Sequence, residues 1–368
     1  MQDTARSVPC RPQSRARACR VGGAGHGAFG GFGTRLALYP AACILYLLLS
    51  GCQVGYYGQA IKGHFGLMHQ RQPVARVVAD PATPAPVRRQ LLLAGDVLEF
   101  AGRELALPAE DVYRTYVPLE RDAVVWNVQA APRFSLTPKT WCYPLLGCLS
   151  YRGYFREEAA RAEAGRLAKA GWDTDVGGAI AYSTLGWFED PLTTPMIDRS
   201  GPSLVELVLH ELVHRRLYIR DDTRFNESLA TMVAREGTLR YLAHHDLKVD
   251  LAWWRQRDRA RDAFLALVGE ARDGLARLYA GDLDEAAMAA AKAARIEALR
   301  RDFRARAEQV PGLDAYAGFF QGDLNNARLN GVHDYYGLVG TFQKILLSCG
   351  GQWPCFWERV EARARDRG

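Results

Sequence analysis

The sequence predicts an α+β protein, with a small mixed sheet set among helices and a long helical hairpin inserted late in the chain. Three observations lead there. Short β-branched and aromatic runs punctuated by Pro and Gly crowd between Tyr113 and Phe155. Longer segments with apolar residues at helical spacing flank them. Residues 253–307 are dominated by Ala, Arg, Glu, Leu and Asp, with one interruption at Gly281-Asp282. The chain has 368 residues, 48% hydrophobic and 24% charged. That length suits roughly two or three domain-sized units, and that composition excludes disordered and collagen-like classes.

Taken in order, residues 51–71 read as a helix leaving a membrane, with Tyr56, Tyr57, Gln59 and Leu67 offering contacts, and 87–101, after the Pro-rich stretch 81–86, as a second helix. Residues 123–129, 140–143 and 148–152 read as strands. A helix over 157–170, a strand over 176–184 and helices over 203–218 and 225–242 follow. The segment 253–307 is expected to fold as two antiparallel helices with solvated charged faces. A last helix spans 332–347, and no internal repeat is present. The expected division is a leader over 1–51, an N-terminal helical region over 52–112, a core over 113–250, the hairpin over 251–310 and a C-terminal helical region over 311–368.

The net charge of +6 is not spread along the chain. Residues 1–51 hold six arginines against Asp3 alone, which leaves the remainder at +1. No basic stripe for nucleic acid survives. Residues 36–49 (LALYPAACILYLLL) form an uncharged run of fourteen, short for a membrane span and right for the apolar part of an export signal. Ser50-Gly51 ahead of Cys52 resembles the bacterial lipobox, in which cleavage exposes the cysteine for acylation; a kinked membrane anchor is the alternative. Residues 1–34 exceed what such a signal requires and are set aside as a mis-called start. The expected location is the periplasmic face of the outer or inner membrane of a Gram-negative bacterium, held to the lipid bilayer through acylated Cys52, with Gln53 favouring the outer membrane.

Export changes the cysteine arithmetic. Cys142, Cys148, Cys349 and Cys355 remain in the body as two C-x5-C pairs. An even number in an oxidising compartment reads as two disulfides. Pairing within each set is the economical choice, and pairing between the sets stays open. A zinc ribbon uses narrower C-x2–4-C knuckles.

The sequence His210-Glu211-Leu212-Val213-His214 lies in a segment that is otherwise nearly all apolar, so its helix is central and buried. Two imidazoles and a carboxylate there are costly without a partner that uses them. At i and i+4 the imidazoles share a face and can reach one tetrahedral Zn²⁺, while Glu211, about 100° around the helix, reaches a metal-bound water as a base. A second helix opens soon after. Its Asn226-Glu227, followed by Ala230, resembles the glutamate helix of the gluzincin metallopeptidases. That resemblance implies Glu227 as the third zinc ligand beside His210 and His214, with Glu236 as the fallback. The gap of thirteen residues from His214 to Glu227 is shorter than in thermolysin-like enzymes and feasible for two packed helices. No histidine follows at metzincin spacing, and Thr231 stands where a gluzincin carries its supporting acid. Asp222 and Glu206 are candidates to hold the far nitrogens of the imidazoles, Asp222 being equally suited to cap a helix.

The likeness extends beyond the motif. Gly51-Cys52-Gln53-Val54-Gly55-Tyr56-Tyr57-Gly58-Gln59, Val125-Trp126-Asn127-Val128, Tyr151-Arg152-Gly153-Tyr154-Phe155, Ala181-Tyr182-Ser183-Thr184-Leu185-Gly186-Trp187-Phe188, Asp190-Pro191-Leu192, Phe225-Asn226-Glu227-Ser228 and Asn325-Asn326-Ala327 join His210–His214 in one pattern. With them the chain is similar, over nearly all of 47–347, to the predicted-aminopeptidase family of bacterial lipoproteins. The resemblance implies a zincin-like metallopeptidase core, one Zn²⁺ ion and a peptide substrate.

Peptide hydrolysis also needs a group to stabilise the oxyanion, and Tyr335, Tyr336 and Tyr182 are the candidates. Residues 177–182, with Gly178 and Ala179, suit an edge strand that pairs with a substrate backbone. Glu189 and Asp190 are placed to hold a substrate ammonium, which favours aminopeptidase over endopeptidase action. Asn325, Asn326 and Arg328 suit a substrate carboxylate or carbonyl, or a tie between the C-terminal helix and the core. The competing readings are a non-enzymatic lipoprotein with a structural or vestigial zinc site and a hydrolase of cell-wall peptides. Retention of Glu211 favours an enzyme, because a purely structural site has no use for a base. Oligomeric state has no signature in the sequence.

Overall fold

A computed structural model describes residues 51–143, 147–181 and 189–366, with side chains from Gly55 onward. The leader, the Cys52 side chain and Tyr182 therefore lie outside the described residues. By its internal contacts the chain divides into residues 1–55 and 56–368, and the architecture below is that of the second unit.

The fold is mixed α+β and mostly helical. It begins with α1 (Gly51–His69), β1 (Gln72–Pro73), α2 (Val74–Ala79) and α3 (Ala85–Leu105). Strands β2 (Thr115–Val117), β3 (Val125–Pro132), β4 (Trp141–Tyr143), β5 (Gly147–Leu149) and β6 (Tyr151–Tyr154) follow. Next come α4 (Glu157–Lys169), β7 (Trp172–Ala179), β8 (Leu192–Thr193), α5 (Thr194–Ile197), α6 (Gly201–Arg216) and α7 (Thr223–His244). The long helices α8 (Lys248–Tyr279) and α9 (Glu285–Ala307) pack on each other. After a 3-10 turn at Leu313–Tyr316 the chain ends in α10 (Ala317–Phe320), α11 (Asn326–Tyr336), α12 (Val339–Ser348) and α13 (Trp353–Arg365).

The sheets are small. One has the order β1-β2-β8 and is mixed, β2 running antiparallel to β1 and parallel to β8. The other has the order β6-β3-β7 and is antiparallel, so among the described residues β7 forms one of its edges. The strand expected over 176–184 sits earlier, pairing from Trp172 opposite Pro132 to Ala179 opposite Val125. Its acids explain why periodicity missed it: Asp173 and Asp175 interrupt the apolar pattern, but Asp173 pairs with Lys292 and Asp175 with Arg328 at 3.0 Å. The helix expected over 332–347 breaks between α11 and α12, where the Leu338 amide donates to Ser228 Oγ (3.1 Å) instead of continuing the ladder. Helix α13 lies within the expected C-terminal helical region, and Trp353, Phe356, Trp357 and Val360 bury its apolar face.

The main core lies between α3, α6, α7, α12 and α13. Helix α6 is at its centre: Leu204, Val205, Val208, Leu209, Leu212 and Val213 are each no more than 1% exposed. Gly237 lets α7 approach closely, since a Cβ there would lie 2.8 Å from side-chain atoms of both Leu105 and Leu209. Disulfides join Cys142 to Cys148 across the β4–β5 pair and Cys349 to Cys355 between α12 and α13. Among the described residues no helix is long and apolar enough to cross a membrane.

Candidate metal centre

Two helices and the turn between them build the site. Pro202 in the first turn of α6 costs no hydrogen bond there and fixes the helical φ, so the helix can start sharply at Gly201. His210 and His214 then emerge one turn apart from its apolar stem. The connection to α7 is held by Asn226, 2% exposed, whose amide donates to Ile219 O (2.7 Å) and accepts from Ile219 N (2.8 Å). Asp222 caps α7 by accepting from Phe225 N (2.9 Å). These bonds make the short gap workable and aim Glu227 at the imidazoles.

The three donor atoms converge. His210 Nε2 lies 3.2 Å from both Glu227 Oε2 and His214 Nε2, and His214 Nε2 lies 3.7 Å from Glu227 Oε2. Ligands about 2.0–2.1 Å from a tetrahedral zinc stand about 3.3 Å apart, so this spacing fits such an ion. Two ring nitrogens directed at each other beside one carboxylate also form a donor set that a single cation satisfies. Burial alone would raise the Glu227 carboxyl, but the His214 charge and hydrogen bonds from both imidazoles hold it well below the ordinary range. Burial would lower His214, and Glu227, then Glu211, reverse that and raise it. Glu211 is itself pushed up, chiefly by burial; the two imidazoles oppose this, while Glu227 and Asp190 add to it.

The surrounding wall contains residues the sequence pointed to and others it did not. Tyr335 stacks on His210 with ring centroids 5.9 Å apart, and Glu227 followed by burial holds its phenol well above the tyrosine range. Tyr151, Tyr113 and Tyr218 also feel these carboxylates. Burial first and Glu227 next raise Tyr151 and Tyr218, the latter to about 12, and burial first and Glu211 next raise Tyr113. A hydrogen-bonded frame holds Tyr335 in place. Ser150 Oγ donates to Asp334 Oδ2 (2.6 Å), and fully buried Ser228 on α7 donates to Asp334 O (3.0 Å). The only signal for this frame in the sequence is an acid directly before a candidate tyrosine.

The family is shown by comparison with known proteins. A family model described as "Putative aminopeptidase" matches residues 55–367. The chain belongs to that aminopeptidase family. Its family description is consistent with peptide hydrolysis. No curated protein and no solved structure matches the chain.

The structure gives several candidate residues of this aminopeptidase-family chain partners outside the donor set. Glu206 does not face an imidazole; it pairs with Arg257 (2.9 Å) and Arg261 (2.7 Å) on α8. Asp222 caps α7, as its position also allowed, and among the described residues no acceptor meets His214 Nδ1. Tyr336 has Arg261, Glu206 and Arg235 as its charged neighbours rather than the imidazoles. Glu236 lies near Arg235, Arg240 and Gln343, away from the donor set. Asn325 caps α11 and donates to Thr174 O (3.0 Å). Asn326 donates to Pro132 O and Arg133 O, and Arg328 pairs with Asp175 and Gln321 O. All three tie α11 to the sheet, because each polar head has internal partners. Gly177 and Gly178 are exposed on β7, and Asp190, 1% exposed, lies close enough to Glu211 to raise it.

Removing one partner of the Glu206 pair should be costly, since Arg261 is only 2% exposed. Glu206→Ala is expected to lose about 3–5 kcal/mol in chemical denaturation. Burial pushes Glu206 up, but Arg261 and then Arg257 prevail and hold it below its ordinary value. A depressed folded-state pKa gives stability that is present above the unfolded value of about 4.3 and lost as pH falls through the folded one. Wild type should therefore lose stability on acidification over that window, and the loss should be smaller in Glu206→Ala.

Proposed function

We propose that this protein is a zinc-dependent aminopeptidase with a zincin-like, gluzincin-type HExxH site, tethered to the periplasmic face of a bacterial membrane through acylated Cys52. The observation that carries the reading is the convergence of His210, His214 and Glu227 on one point, with the non-ligating Glu211 on the same helix. His210, His214 and Glu227 would hold the zinc ion, which when bound would supply Lewis acidity toward a scissile carbonyl and a water.

The protein's own side chains do the rest. Glu211 accepts the proton of the attacking water and passes it to the leaving amine; its raised carboxyl suits a proton that must be taken and returned. Tyr335 stands over His210 and donates its hydroxyl proton in a hydrogen bond to the developing oxyanion. At the end of β7, exposed Gly178 and half-buried Ala179 would meet the backbone of an extended peptide, and Asp190, with Glu189 beside it, would supply negative charge for an α-ammonium. Tyr335→Phe is expected to lower kcat by about 10²-fold with KM little changed, measured by steady-state hydrolysis.

The test is hydrolysis of N-terminally free and N-acetylated versions of one peptide set by zinc-loaded full-length protein. Cleavage restricted to the free peptides supports the proposal. Equal cleavage of both indicates an endopeptidase, and no cleavage by fully loaded protein indicates a non-enzymatic site.

A further inference from the structure

Among the described residues, helix α1 meets the body along the face that carries Tyr56, Gln59, Gly63 and Leu67. Tyr56 packs edge-on against Tyr154 with centroids 5.6 Å apart, and Gln59 accepts from Phe155 N (3.2 Å). At Gly63 a Cβ would come within 2.1 Å of the Phe155 ring, and Leu67 is 2% exposed. These positions recur at helical spacing and form one stripe. On the opposite side Tyr57, Ile61 and Phe65 follow each other one turn apart and are 36%, 57% and 65% exposed. Scattered surface apolar residues are ordinary; a graded stripe of three along one helix face marks an interaction site.

Sequence and charge say what covers it. The described part of the helix, Gly51–His69, follows in sequence the uncharged run 36–49 and Ser50. Residues 51–79 carry Lys62, Arg71 and Arg76 and no acid. A second copy seated on this face would bring the same cations against them, whereas an anionic lipid surface complements them. Lys62, Arg71 and Arg76 are all exposed, and exposed aromatic and aliphatic groups close in sequence to cations suit a helix lying in the plane of a bilayer interface.

We infer that the Tyr57/Ile61/Phe65 face of α1 lies in the interface of an anionic bilayer and holds the body flat on the membrane, where a bare tether would let it swing. This rests on the tethering half of the proposed function for the point at which chain and bilayer meet.

The experiment uses the full chain, purified from membranes and reconstituted into phosphatidylglycerol-containing vesicles. An environment-sensitive label is placed at Ile61→Cys or Phe65→Cys, with Glu285→Cys on the hairpin, 78% exposed, as control. Label taken up by the wild-type chain is subtracted. At 61 and 65 the label should shift to the blue and be quenched by brominated acyl chains severalfold more than at 285, consistent with burial about 5–10 Å into the headgroup boundary. Solvent-like labels at 61 and 65 on vesicle-bound protein would overturn the inference while leaving the tether intact. Protein that fails to stay with the vesicles would overturn both. A blue shift that grows with protein concentration and ignores the lipid quencher would assign the face to a second copy instead.

Discussion

Glu211→Gln should retain the fold and the metal and lose about 10²- to 10⁴-fold in peptide turnover, the range typical of a positioned general base. The substitution keeps the side chain's volume and removes only its capacity to take a proton. It lies on α6 between two imidazoles whose donor atoms face Glu227, so metal uptake does not depend on it. Single-turnover hydrolysis alongside metal content separates the two effects. Wild-type turnover in a metal-loaded Gln variant would exclude Glu211 as the base.

Glu227→Ala should fail in the opposite manner, by losing the metal. It removes the only anionic donor among the three and leaves two ring nitrogens 3.2 Å apart in a buried site. Loss of an outer hydrogen-bond partner typically costs 10–100-fold in metal affinity, and loss of a ligand should exceed about that. The readout need not be activity. Zinc at about 100 times its Kd should stabilise the wild type by about 2.7 kcal/mol, a gain absent from the Ala variant. An equal stabilisation of both proteins would place the ion elsewhere.

What could be read from the sequence followed from how local each signal was. The burial of α6 and the shared face of His210 and His214 depend on residues within one helix, and periodicity alone conveyed them. Glu227 entered through the resemblance of Asn226-Glu227 to a gluzincin glutamate helix, not through any periodicity of its own. Roles that depend on distant elements were not legible. Glu206 sits one turn before His210, but it is claimed by two arginines about fifty residues later on α8, a pairing no local pattern encodes. The Ser150–Asp334 bond spans 184 residues, and the tyrosines that β6 and α11 bring to the site share only aromatic character in sequence. Strand β7 was misplaced because its acids, exposed in a local reading, are neutralised by Lys292 and Arg328 from helices far along the chain.

The most direct measurement is X-ray absorption at the zinc edge on the zinc-loaded full chain, repeated on His214→Ala. Two imidazole nitrogens and a carboxylate oxygen at about 2.0–2.1 Å should appear in the wild type, with one imidazole lost in the variant. A sulfur-rich shell, or a spectrum unchanged by His214→Ala, would contradict a centre built on His210, His214 and Glu227.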